Sequence, residues 1–217
     1  MAEKTYCLTK SKYVRGLQCE RALYLDVYQP KLAYYPPETL ARFRKGRGFE
    51  ASFKGTFRDA IDVSARLGRR MDSYPQLTQE LLSQEGRVTL FEAGFLYDGV
   101  LVLADVVCKS PDGVVDVYEV KNGIEAKHVF QQDIAIQHYV VSHCLPSLRH
   151  FFLLHNDGSD GFVSIDFASQ SELRHQSIAE HIARFKSVLH GEEPTIAMDS
   201  HCDTPYVCPY KRHCQRS

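Results

Sequence analysis

The sequence predicts a mixed α/β fold in which a central mixed sheet, built round a three-strand antiparallel meander, is flanked by helices. Three observations predict it. Between Arg87 and Lys121 the hydrophobic period changes from helical to alternating, and Val, Leu, Phe and Tyr dominate three runs. Two turn signals divide those runs: Asp98-Gly99 suits a tight hairpin, and Pro111-Asp112-Gly113 suits a three-residue loop with a left-handed glycine. Outside this segment, apolar residues recur at three- and four-residue steps, as on one face of a helix.

In chain order, residues 11 to 28 read as one or two short helices ended by Pro30. Pro36-Pro37 opens a helical stretch with Leu40, Phe43, Phe53 and Phe57 on one stripe. Glu50 falls on that stripe, seven residues from Phe43 and seven from Phe57, which points a carboxylate inward. The meander follows as Val88 to Tyr97, Val100 to Ser110 and Val114 to Lys121. A helix at Phe130 to Cys144 leads to a strand at Arg149 to His155, an Asn-, Asp- and Gly-rich turn, and a short strand at Phe162 to Phe167. A long helix from Ser171 to Leu189 carries Leu173, Ile178, Ile182, Phe185 and Leu189 on one face, and a cysteine-containing tail closes the sequence. There is no internal repeat or low-complexity segment.

The 217 residues, 44% hydrophobic and 24% charged, fit a single domain over 1–217. Within it, 1–70 is helical and basic, 86–190 is the core and 197–217 is the Cys-rich tail. No run approaches the roughly 18 apolar residues of a membrane span, and the first residues lack the apolar centre of a signal peptide. The expectation is a cytoplasmic protein with no membrane partner. The net charge of -1 hides an asymmetry: residues 1 to 70 hold 15 Lys and Arg against 7 Asp and Glu, leaving -9 for the remainder. Such a basic segment is either a polyanion-facing surface or a set of solvated helix faces.

The carboxylates of the meander carry the chemistry. Glu119 and Lys121 share one side of the third strand. A three-residue loop pairs Ser110 with Val114, and counting back sets Asp105 directly opposite Glu119; a four-residue loop would set Tyr118 there instead. Asp105 interrupts an otherwise apolar strand, where an unpartnered carboxylate is costly. Two facing acids repel unless a positive charge lies between them, and Mg²⁺ or Mn²⁺ is the natural filler. Lys121 would orient an attacking water or offset charge on a phosphate. The plainer alternative is an ion pair of Asp105 or Glu119 with Lys121, which leaves the second acid unexplained.

Asp105, thirteen intervening residues and Glu119-Val120-Lys121 resemble motifs II and III of the PD-(D/E)xK nuclease superfamily, whose restriction-endonuclease-like core has the same element order. The resemblance is closest to the RecB-like branch, which includes the CRISPR-associated exonucleases and the AddB nuclease domain. It implies that 86–190 is a nuclease core, that Glu50 in Gly46-Arg47-Gly48-Phe49-Glu50 completes the metal site in place of the usual histidine, and that the Val120 carbonyl is a further ligand. The branch's Gln-x-x-x-Tyr helix is altered here to Asp133-Ile134-Ala135-Ile136-Gln137-His138-Tyr139. Asp133 and Gln137 share a helix face, which places Gln137 to reach nucleic acid or the attacking water.

Seven cysteines without an export signal point to metal ligation rather than disulfides. Cys202, Cys208 and Cys214 lie in the tail with five residues between each pair. Four thiolates complete a 4Fe-4S cluster, so a distant ligand is needed. Cys19, in Gln18-Cys19-Glu20-Arg21, resembles the early cysteine with which this branch ties its tail to its N-terminal helices through such a cluster. Zn²⁺, with His201 or His213 beside the thiols, is the alternative. Cys7, Cys108 and Cys144 read as buried thiols.

Taken with the resemblance, the sequence predicts a Mg²⁺- or Mn²⁺-dependent nuclease, an exonuclease on single-stranded DNA ends. Lys10, Lys12, Arg15, Arg42, Arg44, Lys45 and Arg47 would line the path of the backbone. Protein partners would be those of a CRISPR or DNA repair complex. The alternatives are a non-catalytic iron-sulfur subunit that binds nucleic acid, and an RNA-directed nuclease.

Overall fold

The computed structural model describes residues 7–122, 128–158 and 161–216, with the side chains at 42, 45, 47, 128 and 129 outside that description. Strand β1 (Leu8–Thr9) runs into helix α1 (Lys10–Gln18), which the Thr9 side chain caps, and α2 (Glu20–Tyr28) follows after a break at Cys19. A 3₁₀ turn at Pro30–Leu32 precedes α3 (Pro37–Lys54). Next come β2 (Ile61–Asp62), α4 (Val63–Leu67) and α5 (Tyr74–Leu82), three short elements outside the expected order.

The meander forms as expected: β3 (Val88–Tyr97), β4 (Val100–Lys109) and β5 (Val115–Lys121). Gly99 and Gly113, with φ of 68° and 87°, close its two turns in the left-handed region where glycine carries little penalty. Helix α6 (His128–Cys144) crosses to β6 (Leu148–Asn156), which pairs parallel with β5. β7 (Phe162–Asp166) adds an antiparallel edge. Where one long helix was expected from Ser171, the chain forms α7 (Ala168–Glu172) and then α8 (His175–His190). The break leaves Leu173 88% exposed, off the apolar face that Ile178, Ile182, Phe185 and Leu189 bury. A short helix α9 (Lys211–Cys214) ends the tail.

Among the described residues these strands form one mixed seven-stranded sheet in the order β2-β3-β4-β5-β6-β7, with β1 on a branch beside β4. β1 pairs parallel with Val100 and Leu101 of β4, while β5 pairs antiparallel with Val106 to Lys109 on the same edge. β4 and β5 therefore part between Leu101 and Val106, and β1 enters the fork.

Helices cover both faces. The larger core joins β3, β4, β5 and β6 to α5, α6 and α8 through Leu90, Phe95, Val102, Ile134, Ile182 and Phe185. The smaller sets Phe53 of α3 against Val106, Val120 and Leu154. Only the second half of α3 lies on the sheet. Leu40 and Phe43, expected on its buried stripe, are 43% and 47% exposed, and Phe57 lies past the end of the helix and packs on Phe53 and Phe91. No helix among the described residues is long and apolar enough to cross a membrane.

The approach of α5 to β3 is set by Gly94, whose N–H donates to Thr78 Oγ1 at 2.9 Å. A Cβ at this position would lie 2.4 Å from Tyr74 Cβ and 3.1 Å from the Tyr74 carbonyl carbon. Gly94→Ala is expected to cost about 2 kcal/mol by forcing α5 away from the sheet, measured by denaturant unfolding.

Candidate metal centre

The fork between β4 and β5 holds the acids. The register that pairs Val106 with Tyr118 extends to set Asp105 opposite Glu119, as the three-residue loop predicts. The ladder stops one pair short of them, and Asp105 completes it with its side chain: the Val120 N–H donates to Asp105 Oδ2 at 2.7 Å. A carboxylate thus satisfies a backbone donor that would otherwise lose its partner where the strands separate.

Glu92 lies opposite Asp105 on the other side. The hairpin pairs Tyr97 with Val100 and Phe91 with Val106, so the same count places Glu92 across from Asp105. Glu92 has φ of 52°, an unfavourable conformation for a side chain with a Cβ. The consequence is visible in the burial pattern: Val88 and Leu90 share the larger core with Ala93 and Phe95, so the inward alternation reverses across Glu92. Three acids, Glu92, Asp105 and Glu119, therefore occupy successive strands in one row.

Glu50 reaches this row from α3. Among the described residues, one group of potential ligands brings its oxygens within 4.8 Å of one another, and it consists of Glu50, Glu92 and Asp105. Two of the four expected ligands, Glu50 and Asp105, are in it. Glu92 was missed, although the Asp98-Gly99 hairpin register already placed it opposite Asp105. Lys54, one turn after Glu50, bridges Glu50 and Glu92 at 2.5 and 2.6 Å. Among the described residues no ammonium is within ion-pair distance of Asp105. Burial and then the nearby Glu119 push its carboxyl well above the usual range.

Glu119 is 1% exposed and outside that group. Its Oε1 accepts from Lys10 at 2.8 Å and Lys121 at 2.6 Å, whereas Oε2 is buried without a hydrogen-bond partner among the described residues. The ion pair with Lys121 weighed as the plainer alternative is therefore present, and it leaves Asp105 unexplained, as anticipated. Burial opposes ionisation of Glu119, but Lys10 and Lys121 outweigh it and hold the carboxyl down at about 2. Lys121 also reaches Asp133 of α6 at 2.8 Å. Burial alone would favour its neutral amine, yet Glu119, Asp133 and Asp105 raise its pKa, so it remains an ammonium.

Of the remaining expected groups, Val120 serves the site through its N–H to Asp105. Gln137, one turn after Asp133, is fully buried, and neither atom of its amide has a hydrogen-bond partner among the described residues. The expected basic path is divided. Lys10 and Arg15 are held by Glu119 and Asp26, Arg44 is exposed, and the side chains of Arg42, Lys45 and Arg47 lie outside the described residues.

The cysteines gather at the opposite end of α1. Cys202 and Cys208 are buried, and the Cys208 N–H donates to the Cys202 carbonyl at 2.8 Å. Burial pushes the Cys208 and Cys214 thiols up, and Cys19 and Cys202 add to both shifts, so these four share one electrostatic neighbourhood. No three of the thiols meet within 4.8 Å among the described residues. The tail is joined to the N-terminal helices by protein contacts: Gln18 Nε2 donates to the His201 and Tyr206 carbonyls at 2.7 Å each, and Arg21 pairs with Glu193 at 2.7 Å. The Tyr210 hydroxyl donates to Asp26, and the Arg212 guanidinium lies 3.5 Å from the Tyr34 ring centroid.

No protein-family model matches the sequence, and a search of the curated proteins finds no match either.

The strained backbone at Glu92 has a measurable signature. Glu92→Gly and Glu92→Ala both remove the carboxylate, but only glycine accepts φ of 52° without steric penalty. Urea unfolding is expected to find the glycine variant more stable than the alanine variant by about 1 kcal/mol. Equal stabilities would mean that the backbone there is not held left-handed.

Proposed function

We propose that this protein is a divalent-metal-dependent nuclease of the RecB-like kind, acting on single-stranded DNA ends. The observation that carries the reading is Asp105 in the fork, with Glu50 and Glu92 oxygens converging on it and Lys121 fixed beside Glu119.

The donors suit a hard cation, since all are carboxylate oxygens. A Mg²⁺ ion with ligands at about 2.1 Å holds oxygens about 3.0 to 4.2 Å apart, a spacing that oxygens within 4.8 Å reach with small side-chain movements. Glu119 Oε2, buried without a hydrogen-bond partner among the described residues, and Asp105, whose carboxyl is pushed up by burial, are acid oxygens that a cation would satisfy. Glu50, Glu92 and Asp105 would hold it, with Glu119 Oε2 and the Val120 carbonyl as additional oxygens. When bound, Mg²⁺ or Mn²⁺ supplies polarisation of a phosphate oxygen and a lowered pKa for water.

The protein's own groups supply the rest. Lys121, kept protonated and held at its ammonium by both Glu119 and Asp133, is a hydrogen-bond donor and a fixed positive charge rather than a base. It orients the attacking water and offsets charge developing on the phosphate. Gln137, on the same face of α6 as Asp133, assists with an amide that has no structural hydrogen bond to lose. The exposed rings of Tyr35 and Phe43 precede Glu50 along the chain, with exposed Lys31 and Arg44 near them in sequence. They offer unpaired bases a stacking surface.

At the other end, Cys19, Cys202, Cys208 and Cys214 would hold a structural 4Fe-4S cluster. A tetrahedral zinc site needs sulfur separations of about 3.8 Å. Among the described residues no three of these thiols lie that close, and a cube of iron and sulfide holds its thiolates farther apart. The partners of such a nuclease would be those of a CRISPR or DNA repair complex.

With Mn²⁺, the purified protein is expected to shorten end-labelled single-stranded DNA, and Lys121→Ala and Asp105→Asn to lower the rate at least about a hundredfold. Cleavage of RNA alone would reassign the substrate; no cleavage of either, with Lys121→Ala indistinguishable from the parent, would overturn the enzymatic reading. Separately, anaerobically prepared protein is expected to be brown and to carry about four iron atoms per chain, with Cys208→Ser losing most of them. Colourless protein holding one zinc would replace the cluster by a zinc site and leave the acid centre untouched.

A further inference from the structure

We infer that the acidic centre takes one divalent cation and that Lys10 stands where a second would sit. The inference rests on the metal-dependent reading above and concerns how much positive charge the protein itself already supplies.

The charged groups in contact form a short inventory. On the α3 side, Lys54 bridges Glu50 and Glu92. On the α1 and α6 side, Lys10 and Lys121 both bind Glu119, and Lys121 also binds Asp133. Asp105 lies between, with no ammonium in contact among the described residues but with Lys10, Lys121, Glu119 and Glu50 nearby. With every carboxylate ionised, five acids face three lysines among the described residues, leaving two negative charges. One divalent cation neutralises that remainder, whereas a second would leave an excess of two positive charges at a half-buried site, at a large electrostatic cost.

Geometry gives the same answer. In two-cation phosphodiesterases, ions about 3.5–4 Å apart share a carboxylate. A second ion beside Asp105, on the side away from Glu50 and Glu92, would need Glu119, but its Oε1 is already shared by two ammonium groups, at 2.8 and 2.6 Å. Oε2 alone remains for a cation.

Lys10 is held there by backbone structure rather than by chance of rotamer. Thr9 pairs with Leu101 of β4, so β1 runs parallel to β4 towards Asp105, and Lys10 is the next residue, the first of α1. The helix cap at Thr9 and the entry of β1 into the fork both fix its Cα beside the gap between β4 and β5. A lysine in this place costs more to bury than an apolar residue and contributes no core packing, but it supplies permanently the charge that a second cation would bring.

The test is the number of Mn²⁺ ions bound per chain, read by isothermal titration calorimetry and by electron paramagnetic resonance, neither of which depends on cleavage. The parent is expected to bind one ion at the acids, with no spin–spin coupling. Lys10→Ala removes one positive charge and is expected to bind its single ion more tightly, on the order of tenfold. Lys10→Glu reverses the charge, leaves four negative charges, and is expected to bind two ions with a coupled spectrum. Lys10→Arg keeps the charge and is expected to bind one ion with the parent's affinity, which also reports whether substitutions here preserve the fold. Two coupled ions in the parent would overturn the inference while leaving the metal-dependent reading intact. One ion of unchanged affinity in both Lys10→Ala and Lys10→Glu would do the same. No ion in the parent would overturn both.

Discussion

The parting of β4 from β5 is the constraint on which the rest of the centre depends. Paired strands consume each other's N–H and C=O groups, so strands that separate inside a protein must find substitutes. Here β1 takes the edge of β4 at Val100 and Leu101, and Asp105 takes the Val120 N–H. A carboxylate recruited in this way is brought into the interior next to another, Glu119, and their charge must be answered locally. Lys10, Lys121 and Lys54 answer part of it, and each is delivered by a different element: α1, β5 and α3. The fork thus explains both why acids are buried there and why three separate segments converge on it.

Such a centre works against folding rather than for it. Asp105 resists ionisation, Glu119 Oε2 and the Gln137 amide lack partners among the described residues, and Glu92 holds a left-handed backbone. Each unsatisfied buried polar group costs about 1–3 kcal/mol. The two apolar clusters on opposite faces of the sheet offset this, one built on α5, α6 and α8 and the other on Phe53 of α3. Phe53 and Glu50 are three residues apart on α3, so the packing that seats the helix also sets the position of its carboxylate. Local strain and lost hydrogen bonds concentrated at one point, within an otherwise well-packed molecule, are the usual mark of a site shaped by chemistry rather than by stability.

What was legible in the sequence follows from how each feature is encoded. The meander and the facing of Asp105 and Glu119 depend on turn residues only a few positions away, and Pro111-Asp112-Gly113 fixed that register. Glu92 depends on the same kind of signal, through Asp98-Gly99, but its left-handed backbone reverses the alternation by which strand faces are read. Lys10 could not be placed at all, because a two-residue parallel pairing with a strand some ninety positions later leaves no periodic trace. Leu40 and Phe43 keep a helical period without the partner surface that such a period implies, since α3 meets the sheet only in its second half. The joining of the two ends was anticipated through thiols, and the contacts that accomplish it, from Gln18, Arg21 and Asp26, are ordinary polar ones with no motif to announce them.

Helix α1 links these two ends of the molecule. Its first residue, Lys10, pairs with Glu119 in the fork, and its last, Gln18, holds the His201 and Tyr206 carbonyls of the tail. Nine helical residues span about 13 Å, so a rigid rod runs from the acid centre to the cysteines. At the α8 side the rod is pinned closely: any Cβ on Gly16 would fall within 3 Å of the Phe185 ring. A helix held at both termini and against its neighbour has little freedom to tilt, and a long lysine at its end can keep one geometry only if the helix does. The tail, whatever its thiols carry, therefore contributes to the placement of Lys10 without approaching it, and the charge balance at the acids is set in part by how firmly the last residues of the chain are docked on its first helices.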